Sequence, residues 1–496
     1  MRSRLLPIAS PADLAWVDAQ VRLAVGDVAA AASRSRVALS SDDVRDLLYA
    51  EAFELLAPSW ALKARAQAAS VDRQYPALPS DKRLLDALLR RLRLLTAFFV
   101  AATRAVAAHE TELGRGTHRF TALSGDSHNG GCRPLAIHAG DATKVLKFVD
   151  PRPAQLLNEV LTILSEATGI DVTPPPIAAT SDNTSYVTPF LHNDPVAGAA
   201  GAREFMRRLG VLVFASYLLK MVDVHLENII AYGDRPVIID SECMFYDMDD
   251  WDRHQQFWST GMVGPLINMT SVRGGGIMSL FEKNLHEGQL YYFRQIRPVQ
   301  HLAHIERAPE RVSATDHIDD LLAGFSTAYE AFLHHRRPVV RAVLAWTAAD
   351  MRLRWLIRAT RHYAVCREMI FQPSLHPGAA ARQVRNRLSA SDTFLHPANA
   401  PTLAAEWDDL MNYDIPYFWR TAGGRSLLHR RGTLDRRNAR RSAIEVLRDG
   451  YFDLFCEADL KSSVDRFGVF LHIPVEASAP VDLPPLTEPE RVPARQ

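Results

Sequence analysis

The chain has 496 residues, of which 47% are hydrophobic and 23% are charged, a composition typical of globular proteins and unlike that of fibrous or disordered ones. It carries 57 Lys and Arg against 57 Asp and Glu, and this formal net charge of zero argues against a surface built as a whole for nucleic acid or anionic membranes. The sequence contains neither a signal peptide nor an apolar run long enough to span a membrane, so we expect a cytoplasmic protein.

Two residue types are scarce enough to be informative. The four cysteines lie far apart without a CxxC pair, so the sequence indicates neither a disulfide framework nor a structural zinc site. Only seven of the 57 basic residues are lysines, and two of them, Lys144 and Lys147, lie close together.

The predicted elements change character along the chain. Apolar residues recur at helical spacing from residue 10 to about 110, and Ser41, Asp42 and Asp43 offer capping oxygens for one of these helices. From residue 117 the pattern predicts strands at 135–138 and 144–149 joined by a turn, a helix at 155–168, a strand at 185–190 and a helix at 202–219, which together fit a five-stranded sheet beside helices. Residues beyond 240 are loop-rich as far as 276, and helical periodicity returns between 316 and 387.

The segment from Asp223 to Glu242 carries the most specific chemical pattern. Asn228 follows Asp223 by five residues, and Asp240 follows twelve residues later at the end of an apolar strand. This order is typical of phosphoryl transfer, in which the first Asp orients and deprotonates a hydroxyl while the Asn and the second Asp hold Mg²⁺ against the phosphates of a nucleotide. Helix-capping residues beside an unrelated strand are the alternative reading.

A phosphotransferase of this kind also needs a cation upstream, on a strand that follows a turn. We assign this role to Lys147, with Lys144 as the alternative, because alternation puts the two side chains on opposite faces of the strand. Glu159, on the following predicted helix, is placed to pair with Lys147, although a solvated helix glutamate is equally compatible. The polar, glycine-rich segment 124–131 is suited to wrapping phosphate oxygens with backbone N–H groups, and it contains Asp126 and His128.

Five segments in the same order, 125–131, 223–231, 236–242, 354–363 and 413–418, closely resemble the dehydratase domain of class II lanthipeptide synthetases. The resemblance spans about residues 117–470. It implies an α+β fold with a lipid-kinase-like, two-lobed core. It also implies a kinase and lyase that phosphorylates Ser and Thr of a ribosomally made precursor peptide with ATP and Mg²⁺, then eliminates the phosphate to leave dehydroalanine or dehydrobutyrine.

The resemblance also implies a role for each matching residue. The phosphorylation and metal-binding set is Asp223, His225, Asn228, Asp240 and Glu242, with Lys147 as the phosphate-binding lysine. The elimination set is Asp126, His128, Arg354 and Thr360, in which Arg354 and Thr360 grip the departing phosphate. Their separation of six residues, nearly two helical turns, would let them lean toward one site. The aromatic cluster Tyr413, Tyr417, Phe418 and Trp419 reads as core packing around a turn.

The resulting prediction has four regions: a helical amino-terminal region at 1–115, a kinase-like phosphotransferase core at 116–330, a helical elimination region at 331–473 and a disordered Pro-rich tail at 474–496. Synthetases of the family continue into a zinc-dependent cyclase domain, so we expect a stand-alone dehydratase without zinc, whose partners are a precursor peptide with a leader and a separate cyclase or other tailoring enzyme. We expect neither nucleic acid nor a membrane span among its interactions. Two alternatives stay open: a hydroxyl kinase whose product is processed by a separate lyase, and a non-catalytic scaffold.

Overall fold

The computed structural model describes residues 11–36, 38–68, 82–123, 127–140, 142–194, 196, 198–224, 228–246, 276–286, 289–299, 317–358, 360–371, 377–390, 399–436 and 438–471. The fold is α+β, as predicted. Residues 247–275 of the stretch predicted to be loop-rich from 240 to 276, and the predicted tail at 474–496, lie outside the described residues. No helix within the described ranges is long and apolar enough to cross a membrane.

Three long helices make up the amino-terminal region: α1 (Pro11–Ser35), α2 (Ser41–Ala68) and α3 (Lys82–Ala108). They pack on one another along apolar faces, which confirms the helical periodicity of this region. The capping oxygen of α2 comes from Ser40, one residue before the predicted set, because Asp43 N donates to Ser40 Oγ at 3.3 Å. The carboxylate of Asp43 instead accepts from Phe120 N at 2.8 Å, and this bond ties the helix to the neighbouring sheet.

The first sheet has six strands rather than the five predicted. Its order is β1-β2-β3-β4-β6-β5; the β1–β2 pair is parallel and the other pairs are antiparallel. The predicted hairpin is present as β3 and β4, joined at the Ala139–Ala142 pair. Strands β1 and β5 are two residues long, which is too short for periodicity to reveal. With the short helix α4 (Glu110–Leu113), the elements here are β1 (Ala38–Leu39), β2 (Thr117–Ala122), β3 (Leu135–Ala139), β4 (Ala142–Lys147), β5 (Ala178–Ala179) and β6 (Tyr186–Pro189).

The middle of the chain supplies the helices and the hairpin that position the candidate site. Helix α5 (Arg152–Thr168) lies between β4 and β5, and helix α6 (Gly198–Leu218) leads to a hairpin of β7 (Ile229–Tyr232) and β8 (Arg235–Ile238). Both helices fall where the apolar spacing predicts them. A further hairpin joins β9 (Gly276–His286) to β10 (Gln289–Val299).

The last third contains a second sheet that the sequence analysis missed. Its strands are antiparallel in the order β11-β12-β13-β14, and the sequence predicts continuous helical periodicity across the first of them. That prediction is wrong for β11, because Arg352–Trp355 alternates between two faces and pairs with Phe418–Thr421, so tertiary pairing overrides local propensity. Helix α9 begins only at Thr360, so Arg354 and Thr360 do not lie on one helix. The elements are α7 (Ile318–His334), α8 (Arg336–Ala348), β11 (Arg352–Trp355), α9 (Thr360–Phe371), α10 (Pro377–Ala390), α11 (Ala400–Met411), β12 (Phe418–Thr421), β13 (Leu427–His429), β14 (Gly432–Asp435), α12 (Ala443–Arg448), a 3₁₀ turn (Tyr451–Leu454) and α13 (Glu457–Leu471).

Helices α6 and α7 cross in direct backbone contact at two glycines. A Cβ atom built on Gly324 would lie 1.8 Å from the carbonyl oxygen of Arg207, and one built on Gly210 would lie 2.1 Å from that of Leu321. The close approach lets aromatic side chains of both helices, such as Phe214 and Phe325, pack in the same buried core. The sequence after α6 is the Asp223–Glu242 segment, so this crossing anchors the chain that enters the candidate site.

We therefore expect Gly324→Ala to destabilise the protein by about 3 kcal/mol or more, since the opposing atom is backbone and can yield only by moving a helix. The control is Gly26→Ala on the exposed face of α1, where an added Cβ meets nothing within 4 Å. That change should add about 0.5–1 kcal/mol of stability through helix propensity alone. Chemical denaturation measures both free energies of unfolding, and equal small effects would contradict the close helix contact.

Candidate functional site

A short hairpin brings together the two ends of the Asp223–Asp240 pattern. Strands β7 and β8 pair Ile229 with Ile238, and Ile239 N donates to Asn228 O at 2.9 Å, so Asn228 and Asp240 leave the base of the hairpin side by side. Asn228 Nδ2 also donates to the backbone oxygen of Asp223 at 2.6 Å. Asp223 itself has a left-handed φ of 65°. The twelve-residue spacing is thus the length of one tight hairpin that returns Asp240 to Asn228.

Lys147 lies at the end of β4 and reaches this hairpin. Its Nζ donates to the backbone oxygen of Ile239, and it hydrogen-bonds the hydroxyl of Tyr186 on the paired strand β6. Burial opposes its charged form, but Tyr186 and the negative charges of Asp240 and Glu242 outweigh this and raise the pKa of Lys147. The alternative residue, Lys144, donates instead to Glu112 O at 2.5 Å, so only Lys147 lies beside Asp240.

Asp240 is held in an environment that disfavours its charge. Burial raises the pKa of its carboxyl, and the negative charges of Glu242 and Asp223 raise it further, while Lys147 and Arg354 act in the opposite direction without cancelling the shift. A carboxylate that is kept among other carboxylates despite this cost is what a cation site requires.

Glu242 joins this hairpin segment to the second sheet. Its Oε1 accepts from Arg354 Nη1 at 2.8 Å and its Oε2 accepts from the hydroxyl of Tyr417 at 2.8 Å. The backbones are also joined, because Arg354 N donates to Glu242 O at 2.8 Å. Burial and the Glu242 carboxylate raise the pKa of Tyr417 well above its usual range, so its hydroxyl remains a donor.

The ring of Tyr417 extends the same chain of contacts to His128. The imidazole of His128 stacks on it with centroids 4.9 Å apart, and the guanidinium of Arg354 lies 5.3 Å from its centroid. His128 and Arg354, which the sequence separates by more than two hundred residues, therefore contact one tyrosine. Tyr417 was expected to serve core packing, and no local sequence pattern distinguishes a tyrosine that contacts two site residues in this way.

The glycine-rich segment does not offer its backbone N–H groups to phosphate in the way the sequence suggested. Gly130 N and Gly131 N both donate to Asp414 Oδ2, at 2.8 and 3.0 Å. These two donors are therefore already used inside the protein. Asp126, in the same segment, and His225 of the phosphorylation set lie outside the described residues.

Two further predicted site residues are not joined to this chain of contacts. Thr360 begins α9, and within the described ranges no contact links it to Arg354. The expected ion pair between Glu159 and Lys147 is absent: Glu159 is exposed on α5 and accepts from Trp346 Nε1 at 2.6 Å. The solvated-glutamate reading of Glu159 is the better one, since Lys147 finds its negative partners at 240 and 242 instead.

The oxygen donors present suit a magnesium ion held partly by the protein. Mg²⁺ is usually bound by one or two carboxylates together with substrate phosphates and water. Asp240 supplies a carboxylate, and Asn228 uses its amide nitrogen on Asp223, which leaves its side-chain oxygen for a cation. Each Glu242 oxygen already accepts a hydrogen bond, and in the described part of the chain no three His, Cys, Asp or Glu side chains converge as a complete metal cage.

Comparison with known proteins places the chain in a family. A family model described as a domain of unknown function, DUF4135, matches residues 83–264 and 292–420. The chain belongs to the DUF4135 family. The matched ranges contain Lys147, Asp240, Glu242, Arg354 and Tyr417, and they begin at α3, after α1 and α2.

A curated relative of this DUF4135 protein is known in Lactococcus lactis subsp. lactis under the name lacticin 481/lactococcin biosynthesis protein LcnDR2. It is 24% identical over 257 residues, a match that covers 46% of this chain and 27% of the relative. The match thus spans about a quarter of the relative's length.

Replacing Asp240 tests whether the site is kept at a cost to stability. At neutral pH the ionised carboxylate is less favourable in the folded protein than in the unfolded chain, so Asp240→Asn in magnesium-free buffer should increase the free energy of unfolding. The control is Asp150→Asn, which weakens bonds from Arg152 Nε and Arg352 N, both at 2.8 Å, and should cost about 1.5–3 kcal/mol. Urea titrations measure both, and a destabilised Asp240→Asn protein would contradict the reading.

Proposed function

We propose that this protein is a peptide dehydratase of the lanthipeptide-synthetase type. It phosphorylates Ser and Thr of a ribosomally made precursor peptide with ATP and Mg²⁺, then eliminates the phosphate to leave dehydroalanine or dehydrobutyrine. The name of the Lactococcus relative, which is a biosynthesis protein for lacticin 481/lactococcin, supports a peptide substrate. Family membership is consistent with this role without defining it.

One observation carries the proposal: the residue sets for phosphorylation and for elimination meet at Glu242. On one side Glu242 adjoins Asp240 and Lys147, and on the other it bonds Arg354 and Tyr417, which contacts His128. Elimination from the phosphate ester requires a base and donors to the departing phosphate, and the imidazole and the buried arginine beside these carboxylates can supply them.

In the first half-reaction the Ser or Thr hydroxyl attacks the γ-phosphorus of ATP. Asp223 accepts the hydroxyl proton, the bond to the bridging oxygen breaks and ADP leaves with that electron pair. Asn228 and Asp240 would hold the metal ion, and an ion bound there would neutralise charge on the phosphate oxygens. Lys147, kept protonated by its neighbours, supplies a fixed positive charge beside them.

In the second half-reaction a base removes the α-proton of the phosphorylated residue. The C–H electron pair forms the Cα–Cβ double bond, and the Cβ–O bond breaks with its electrons on the departing phosphate. His128 in its neutral form is the candidate base, since imidazole titrates near neutral pH. Arg354 stabilises the charge on the phosphate. Glu242 accepts from one guanidinium nitrogen, and within the described residues no other side chain accepts a hydrogen bond from this guanidinium.

We assign Thr360 to binding the departing phosphate as well, although it does not share a helix with Arg354 as predicted. It begins the twelve-residue helix α9, where backbone N–H groups and the helix dipole favour an anion, and its hydroxyl can donate to the same oxygens. Arg354 lies on β11 and Thr360 begins α9, so the two residues belong to different elements.

The basic test incubates the protein with ATP, Mg²⁺ and the precursor peptide encoded beside its gene, and reads the peptide by mass spectrometry. Dehydratase activity removes the mass of one water per modified residue. Wild-type protein that accumulates only phosphopeptide supports the kinase alternative. ATP turnover that disappears in Asp240→Asn excludes a non-catalytic scaffold.

Arg354→Lys should separate the two half-reactions. Lysine keeps a positive charge opposite Glu242 but loses the planar fork that holds phosphate with two parallel bonds, so phosphopeptide should accumulate and elimination should slow about tenfold or more. The matched control is Arg420→Lys: this arginine is similarly buried on the neighbouring strand but pairs with Leu353, on the opposite face of the sheet from Arg354. Equal loss of elimination in the two variants would contradict the assignment of Arg354.

A further inference from the structure

The carboxylate of Asp414 is fully buried and gathers hydrogen bonds from two distant segments of the chain. Oδ2 accepts from Gly130 N and Gly131 N, and Oδ1 accepts from the hydroxyl of Ser127 at 2.8 Å and from Arg91 Nη1 at 3.3 Å. Three of the four donors thus lie within residues 127–131, the segment that carries His128. The fourth comes from helix α3 of the amino-terminal region.

The backbone of this segment lies in the left-handed region at three consecutive residues. Asn129, Gly130 and Gly131 have φ values of 52°, 87° and 86°. The N–H groups of Gly130 and Gly131 converge on one carboxylate oxygen, as successive backbone N–H groups do around a bound anion. Here the anion is the carboxylate of Asp414, so a buried charge of the protein itself fixes this loop.

The anchored residues flank His128 on both sides. Ser127 precedes it and Gly130 follows two residues later, while Ile415 N donates to Ser127 O at 2.9 Å. His128 forms a parallel bridge with Ile415, and its ring lies on Tyr417. Asp414 therefore holds the loop while its own neighbours in the chain supply the surface against which the imidazole rests.

A second layer of charge holds Asp414 in place. Arg91, which is 1% exposed, donates to Asp414, to Ser127 Oγ at 2.6 Å and to Glu51 Oε2 at 2.7 Å. Glu51 on helix α2 also pairs with Arg133 at 2.5 Å, just beyond the loop. The charges of this buried group are compensated internally, so it is a rigid support rather than an exposed binding surface.

We infer that Asp414 is a positioning residue for the elimination step, one that fixes the loop of residues 127–131 so that His128 stays against Tyr417 and beside Arg354. This inference rests on the proposed function. Asp414 does not touch the reacting atoms; it acts through His128. Phosphorylation, whose residues lie on β4 and around the β7–β8 hairpin, does not depend on this loop.

The test compares Asp414→Asn with Asp409→Asn. Asp409 is also fully buried and pairs with His429 and Arg430, at 2.8 and 2.7 Å, but has no contact with the loop. Asparagine at 414 turns an NH₂ group toward N–H donors. It should raise hydrogen exchange at the Gly130 and Gly131 amides by about tenfold or more. It should also slow elimination from a synthetic phosphopeptide by about a hundredfold, while phosphorylation of the unmodified peptide continues.

Asp409→Asn should leave both the exchange of residues 127–131 and the elimination rate, per folded molecule, as in the wild type. If Asp414→Asn is not obtained folded, Ser127→Ala, which removes one hydrogen bond from the same carboxylate, should change both readouts in the same direction to a smaller extent. Unchanged amide exchange, or faster exchange with normal elimination, overturns the inference. Wild-type protein that converts no peptide contradicts the proposed function instead, and the exchange measurement still decides whether Asp414 fixes the loop.

Discussion

The buried contact of Glu242 with Arg354 and Tyr417 is the interaction on which the candidate site depends. It joins the segment that leaves the β7–β8 hairpin to the first two strands of the second sheet, through side chains and through the bond from Arg354 N to Glu242 O. These bonds place Arg354 and Tyr417 next to Asp240, and the stacking of Tyr246 on Trp355 supports the same junction. The residues proposed for phosphorylation and those proposed for elimination are therefore held together by this one buried contact.

A gain in folding stability does not explain this buried contact. Taking a carboxylate and a guanidinium out of water costs several kcal/mol per ion, and a buried ion pair recovers this only with good geometry and additional hydrogen bonds. Glu242 has both, but Asp240, two residues earlier, remains in surroundings that raise its pKa. A protein selected for stability alone would place apolar side chains here. The retained charges are what the proposed site for phosphate and a metal ion requires.

The sequence predicts the helices of both halves of the fold and the β3–β4 hairpin but not the second sheet, for a physical reason. Helices such as α3 and α6 and the β3–β4 hairpin are set by local periodicity and turn residues. Strand β11 is not, because its short alternating segment gains its conformation from pairing with a strand more than sixty residues later. The error extended to the site, since reading Arg354 and Thr360 as residues of one helix gave them the wrong spatial relation.

The residues of the candidate site also fall into those that the sequence predicts and those that it does not. The proximity of Asn228 and Asp240 could be predicted because one hairpin fixes their spacing, and the place of Lys147 beside them because lysine is rare and this one lies on a strand. Tyr417 and Asp414 could not, because their significance comes from what distant segments place around them: Glu242 and His128 for the first, Arg91 and the loop of residues 127–131 for the second. The role of Arg91 has a further consequence for the amino-terminal helices. Because α2 and α3 supply Glu51 and Arg91 to this buried group, they belong to the support of the site itself, and a change in how these helices pack would reach His128 through Asp414.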